Sequence, residues 1–160
     1  MDKILIVDDE KPMLDAITGA LDGLPFQLIT TQNPCEGLTL FHEHAPFLTI
    51  LDMVMAPIDG VDFIKHLIQH ELPDQTNLCV PPQPSDPERG NPDLRDANFY
   101  VAILTGAGSK TLMRECKALG VHYFLNKPIS VHTLHLVIVE THRLKLAHED
   151  FCNSYKVNSY

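Results

Sequence analysis

The sequence predicts a doubly wound α/β domain: a five-stranded parallel sheet with helices on both faces. Short, unbroken apolar runs rich in β-branched residues recur along the chain. Stretches with apolar residues at helical spacing alternate with them, and several of the runs end on an acidic or hydroxyl residue. An unbroken apolar run suits a strand covered on both faces, because a half-buried strand would alternate. Five such strands alternating with five helices wind as a parallel sheet through right-handed crossovers.

The first strand is expected at Ile4–Val7, stopping at Asp8, Asp9 and Glu10. Pro12 then fits the first turn of a helix whose Leu14, Ile17, Leu21 and Leu24 share a face. Phe26–Thr30 reads as the second strand. Asn33 and Pro34 suit the N-cap and first turn of the second helix, with Leu38 and Phe41 inward. Phe47–Leu51 makes a third strand ending at Asp52, and Val61, Ile64, Leu67 and Ile68 line the third helix. Tyr100–Leu104 is the fourth strand, and Leu112, Cys116 and Leu119 line a helix that Gly120 ends. His122–Leu125 is the fifth strand. Ser130 caps a last helix through about Ala147, with Leu134, Val137, Ile138 and Leu144 inward. The expected strand order is 2-1-3-4-5, the flavodoxin-like arrangement, in which ligands lie beyond the carboxyl ends of the strands.

Six of the twelve prolines fall between Leu72 and Ala97. Proline fixes φ and removes a donor, so this stretch is read as a long loop inserted between the third helix and the fourth strand. The expected organisation is one domain over residues 1–149 with that insertion at 72–97, and a short tail at 150–160.

The 160 residues fit a single domain, and 44% hydrophobic content can build a core. A net charge of -9 argues against direct nucleic-acid binding and against an anionic membrane surface. No apolar run approaches the ~20 residues that span a bilayer, and the N-terminus lacks the form of a secretory signal, so the expected location is cytoplasmic. Cys35, Cys79, Cys116 and Cys152 form no CxxC pair and are expected as reduced thiols. His42 and His44 flank Glu43, and His66 and His70 lie four apart. An i, i+4 histidine pair can hold zinc, but no third ligand is near, and these histidines are expected on solvated helix surfaces.

The strand ends gather a reactive set. The first supplies Asp8 and Asp9, the third Asp52, the fourth Thr105, and Lys127 follows the fifth. Three carboxylates in one pocket repel unless a cation compensates. Oxygen donors select a hard ion such as Mg²⁺. A lysine suits a phosphoryl oxygen, and an ionised aspartate can be the nucleophile that forms an aspartyl-phosphate.

With those motifs in view, the chain resembles the receiver domain of response regulators. The likeness rests on ILIVDDE at Ile4–Glu10, LDMVM at Leu51–Met55 with Asp59-Gly60, LTG at Leu104–Gly106 and FLNKPI at Phe124–Ile129. It runs from Lys3 to about Leu146. The resemblance implies Asp52 as phosphoacceptor, Asp9 as a direct Mg²⁺ ligand, Asp8 as a ligand through water, and the backbone carbonyl of Val54 as a further ligand. It implies that Lys127 contacts the phosphoryl group, with a cis bond to Pro128, and that Thr105 moves toward that group on activation. Phe124 stands at the family's rotameric aromatic, inward in the active state. The chain departs from the family at Ala56, where the family usually has proline; here Pro57 comes next. Gly106-Ala107-Gly108 should give a flexible switch loop. Val54 and Ala107 offer no hydrogen bond to a water, so slow self-dephosphorylation is expected.

The resemblance further implies a histidine kinase or histidine phosphotransfer protein as donor and a downstream effector protein as target. The readout surface would be the fourth helix, fifth strand and fifth helix, which could also pair two copies. Such a domain catalyses its own phosphorylation and slow dephosphorylation without being a conventional turnover enzyme. A docking module independent of phosphorylation is one alternative. Another is the truncated N-terminal receiver of a larger transcription regulator. A dehalogenase-type phosphatase would need an acid two residues after its nucleophile, where this chain has Val54.

Overall fold

The computed structural model describes residues 1–69, Leu94, 99–106 and 110–157, with 151–157 in backbone only. The expected insertion at 72–97 lies outside the described residues except for Leu94, which is fully buried. Ala107 and Gly108 of the expected switch loop also lie outside them.

The chain alternates β1 (Lys3–Val7), α1 (Lys11–Ala20), β2 (Gln27–Thr31), α2 (Pro34–His44), β3 (Leu48–Asp52), α3 (Gly60–Gln69), β4 (Tyr100–Thr105), α4 (Lys110–Ala118), β5 (Tyr123–Asn126) and α5 (Val131–Val157). The five strands form one parallel sheet in the order β2-β1-β3-β4-β5, as the alternation predicts. β3 is buried along its whole length, which explains its unbroken apolar run.

Alternating side chains of the strands feed two cores. Leu5, Val7, Leu51 and Ile103 pack with α2, α3 and α4 on one face. Ile4, Ile6, Ile50 and Leu104 pack with α1 and α5 on the other. Local chemistry sets the helix ends. Asn33 caps α2 by accepting from the Cys35 and Glu36 amides. Gly120, at φ 82°, ends α4 in the left-handed region that glycine enters without strain.

Three expectations are corrected. Leu144 is 43% exposed, while its neighbours His142 and Lys145 on α5 turn to the start of β1. Asp2 accepts from Lys145 at 2.8 Å and His142 at 2.7 Å, and these bonds and charges hold its carboxyl below the ordinary value. His66 is buried in α3 and not solvated. Cys35 is disulfide-bonded and not a reduced thiol, and its partner is not among the side chains described. Cys116 is a free, buried thiol that burial pushes up to about 12. In addition, α5 continues to Val157, so residues 150–157, expected in a short tail, extend this helix. Among the described residues, no helix is long and apolar enough to cross a membrane.

His122 joins β5 to β4 twice. Its amide donates to the Val101 carbonyl at 3.3 Å, and its Nδ1 accepts from the Val101 amide at 3.2 Å. The second bond requires an unprotonated Nδ1. Burial holds the His122 pKa below the ordinary 6.5. The unfolded chain therefore binds this proton more readily, and stability rises with pH between the folded value and 6.5. The contribution is complete above 6.5 and is lost as the pH falls through the lower folded value. Urea unfolding at pH 7.5 and 5.5 should show that loss, and His122→Asn should flatten it. An NMR titration that places His122 above its ordinary value would contradict this account.

Candidate functional site

The carboxyl ends of β1, β3 and β4 and the residue following β5 meet at one edge of the sheet, so side chains far apart in sequence become neighbours. Asp8 follows β1 and is fully buried. Its Oδ1 accepts from the Glu10 amide at 2.8 Å and its Oδ2 from Lys127 Nζ at 3.1 Å. Asp52, the last residue of β3, is 6% exposed. Its Oδ1 accepts from the Met53 amide at 2.9 Å and pairs with Lys127 Nζ at 3.0 Å. One ammonium thus bridges two buried carboxylates.

The electrostatics follow from burial. Burial pushes the Asp52 carboxyl above the ordinary carboxylate value, opposed by Lys127 and reinforced by the charge of Asp8. Burial also works against the Lys127 charge. The hydrogen bonds and charges of Asp52 and Asp8 overcome it, so the ammonium titrates above the ordinary lysine value.

Asp9 is exposed and completes the acidic set. One carboxylate oxygen from each of Asp8, Asp9 and Asp52 lies within 4.8 Å of the others. This all-oxygen donor set of high negative charge suits a hard divalent cation. Val54 follows in the β3–α3 loop with its side chain 64% exposed. The site's backbone is tightly drawn: a Cβ on Gly60 would stand 2.9 Å from the Asp52 carbonyl oxygen and 3.1 Å from Met53 Cα.

Thr105 ends β4 and is buried at 3% exposure. Its hydroxyl donates to Asn126 Oδ1 at 3.0 Å. Its carbonyl accepts from the Lys127 amide at 2.8 Å. Phe124 is half-buried against the core under α3 and α4, with the Lys117 ammonium 5.7 Å from its ring centroid. The Lys127–Pro128 bond is cis, as the resemblance implies, and the Ala56–Pro57 bond is cis as well.

The structure therefore brings together Asp8, Asp9, Asp52 and Lys127, with Thr105 on the neighbouring strand end. Phe124 lies farther back along β5. Sequence reasoning missed Asn126, the partner of the Thr105 hydroxyl, and the close approach at Gly60. For Gly60 a signal was available: a glycine opening a helix just after a strand-end acid marks close backbone approach.

Fold and site together define a class: a doubly wound α/β domain with an acidic, lysine-bridged cleft at the carboxyl edge of its sheet. The chain carries a response-regulator receiver domain, a module of two-component signalling, and the family model matches residues 4–80. Among curated relatives, the chain is similar to the probable chemotaxis protein CheY of Rhizobium etli. The two are 28% identical over 137 residues, covering 85% of this chain and 88% of that protein. It is also similar to the sporulation initiation phosphotransferase F of Bacillus subtilis, at 23% identity over 130 residues, 81% of this chain and 85% of that one. The solved structure of a response regulator receiver domain from Clostridium thermocellum shares the fold. Its TM-score is 0.69 over 92% of this chain and 99% of that one, at 24% identity. Matched transcriptional regulators are longer proteins, and the chain spans between 23% and 29% of their length.

Gly60→Ala should cost about 1–3 kcal/mol, because the Asp52–Met53 backbone blocks the added methyl. Gly19→Ala, in α1 with nothing within 4 Å of the added Cβ, is the contrasting case. It should be neutral or stabilising by up to about 1 kcal/mol. Chemical denaturation of both variants checks the pair; equal effects would contradict the close approach.

Proposed function

We propose that this protein is a phosphoacceptor switch that takes a phosphoryl group onto Asp52 from a histidine kinase or a histidine phosphotransfer protein. The observation that carries the reading is the Lys127 ammonium held between Asp8 and the acceptor Asp52. Asp8, Asp9 and Asp52, with the Val54 carbonyl, are the residues that would hold Mg²⁺. When bound, the ion would neutralise charge on the phosphoryl oxygens.

The chain's own residues account for the remaining requirements. Asp52 Oδ2 accepts no hydrogen bond among the described residues and is the oxygen to attack phosphorus. The oxygen–phosphorus bond forms as the donor's bond to phosphorus breaks, and the donor group leaves with the electron pair. Lys127 stands by to pair with a phosphoryl oxygen as negative charge accumulates. The ends of β1 and β3 hold the acceptor beside the acidic groups that would bind the cation.

Phosphorylation adds roughly two negative charges and three acceptor oxygens. Thr105 and Lys127 are the donors within reach of that end of the sheet, so the change is read out through α4, β5 and α5. This is a shift between two arrangements and not the making of a new one. Leu136, Val139 and Leu146 on the exposed side of α5 offer apolar contacts for an effector protein or a second copy. The net charge of -9 favours a protein partner over nucleic acid.

Incubation with acetyl phosphate and Mg²⁺ should add one phosphoryl group to the wild-type protein and none to Asp52→Asn, read by intact mass. Equal masses for the two proteins would end the acceptor reading. The phosphorylated protein should also lose its group slowly, over minutes or longer. The exposed Val54 side chain offers no hydrogen bond to an attacking water. A time course of the phosphorylated mass after removal of acetyl phosphate checks this, and decay within seconds would refute it.

A further inference from the structure

We infer that Asn126 is a positioning residue for the switch: its side-chain oxygen holds the Thr105 hydroxyl and thereby restrains phosphorylation. The inference rests on the acceptor reading of Asp52 and adds to it a residue that sets how readily the acceptor is used.

The geometry is specific. Thr105 and Asn126 are register partners at the ends of the adjacent parallel strands β4 and β5, so their side chains lie side by side. The Thr105 hydroxyl donates to Asn126 Oδ1 at 3.0 Å. Next along the seam, the Lys127 amide donates to the Thr105 carbonyl at 2.8 Å. Thr105 is thus held by β5 through both side chain and backbone.

A hydroxyl has one proton to donate. While that proton lies on Asn126, it cannot lie on a phosphoryl oxygen. Thr105 directly follows Leu104, the register partner of Asp52, so its hydroxyl stands on the strand end next to the acceptor. A phosphoryl oxygen is charged and a stronger acceptor than an amide carbonyl. Phosphorylation therefore moves the proton's partner from Asn126 to the phosphoryl group, and the broken bond to Asn126 counts against the phosphorylated state.

The same seam reaches the readout surface. Ile103 and Phe124 are register partners two residues back, on the same face of the sheet as Thr105 and Asn126. Releasing Asn126 frees the end of β5 beside Phe124. Asn126 thus sits where Thr105, Lys127 and Phe124 join, and no other side chain among the described residues bonds to the Thr105 hydroxyl.

The test is a double-mutant cycle on the phosphorylation rate with acetyl phosphate and Mg²⁺, read by intact mass, for wild type, Asn126→Ala, Thr105→Val and the double variant. Asn126→Ala should phosphorylate about two- to tenfold faster than wild type, the factor set by the net worth of one neutral hydrogen bond. In the Thr105→Val background, where no proton is held, the same substitution should change nothing. A melting curve for each variant confirms that all are folded. An unchanged rate in Asn126→Ala, or an effect that persists without the Thr105 hydroxyl, overturns this inference while leaving Asp52 as acceptor. A wild type that gains no phosphoryl group overturns the acceptor reading and this inference with it.

Discussion

The ammonium of Lys127 lies 3.1 Å from Asp8 and 3.0 Å from Asp52, between two carboxylates that are almost wholly removed from water. Two such charges cannot both remain ionised at close range in a medium of low dielectric without a positive neighbour. The compensating charge arrives from the far end of the chain. β1 and β3 lie side by side in the sheet, and β5 is separated from β3 by β4. Lys127 comes just after β5, and its flexible stem carries the charge back across the end of β4. The pairing exists only when all four crossovers between β1 and β5 have wound in the observed order, so sheet topology and site charge are one constraint.

β1 is tied to the C-terminal part of the chain at both ends. Asp8, beyond its carboxyl end, accepts from Lys127. Asp2, just before its start, accepts from His142 and Lys145 on α5. Between these ties, β1 contributes Ile4 and Ile6 to the core with α1 and α5, and Leu5 and Val7 to the core beneath α2, α3 and α4. Apolar burial supplies the larger stabilisation and is indifferent to register in detail. The two polar ties are directional and pick one arrangement among packings of similar area.

The alternation of apolar runs and helical spacings was sufficient for the sheet order, because β-branched runs buried on both faces leave few ways to wind a chain. It was also sufficient to place Asp8, Asp52, Thr105 and Lys127 at one edge, since the rule for strand ends needs only strand boundaries good to a residue or two. The family model stops at residue 80, inside the proline-rich stretch, so Thr105 and Lys127 lie beyond it and are united with Asp52 by the fold itself. What periodicity does not carry is which side chain meets which. His66 lies on the α3 face shared with the buried Phe63, but its polar type argued for solvent, and what packs against α3 decides its burial. The Cys35 disulfide depends on distant chain segments meeting. The exposure of Leu144 depends on which turns of α5 the rest of the fold covers, which the helical repeat does not encode.

The donors of the site are already engaged before any phosphoryl group arrives. Lys127 is shared between Asp8 and Asp52, and the Thr105 hydroxyl is held by Asn126. A charged group added to Asp52 must therefore compete for donors instead of collecting idle ones. Each donor it draws away leaves a partner behind: Asp8 on one side and Asn126 on the other. Those two partners have different fates. Asp8 is fully buried, and on the proposed reading a divalent cation held by the acidic set would restore its balance, which would couple metal occupancy to phosphorylation. Asn126 is exposed and can turn to water at little cost. On the proposed reading the strong coupling would stay inside the cleft, while the weak one would be released at the end of β5.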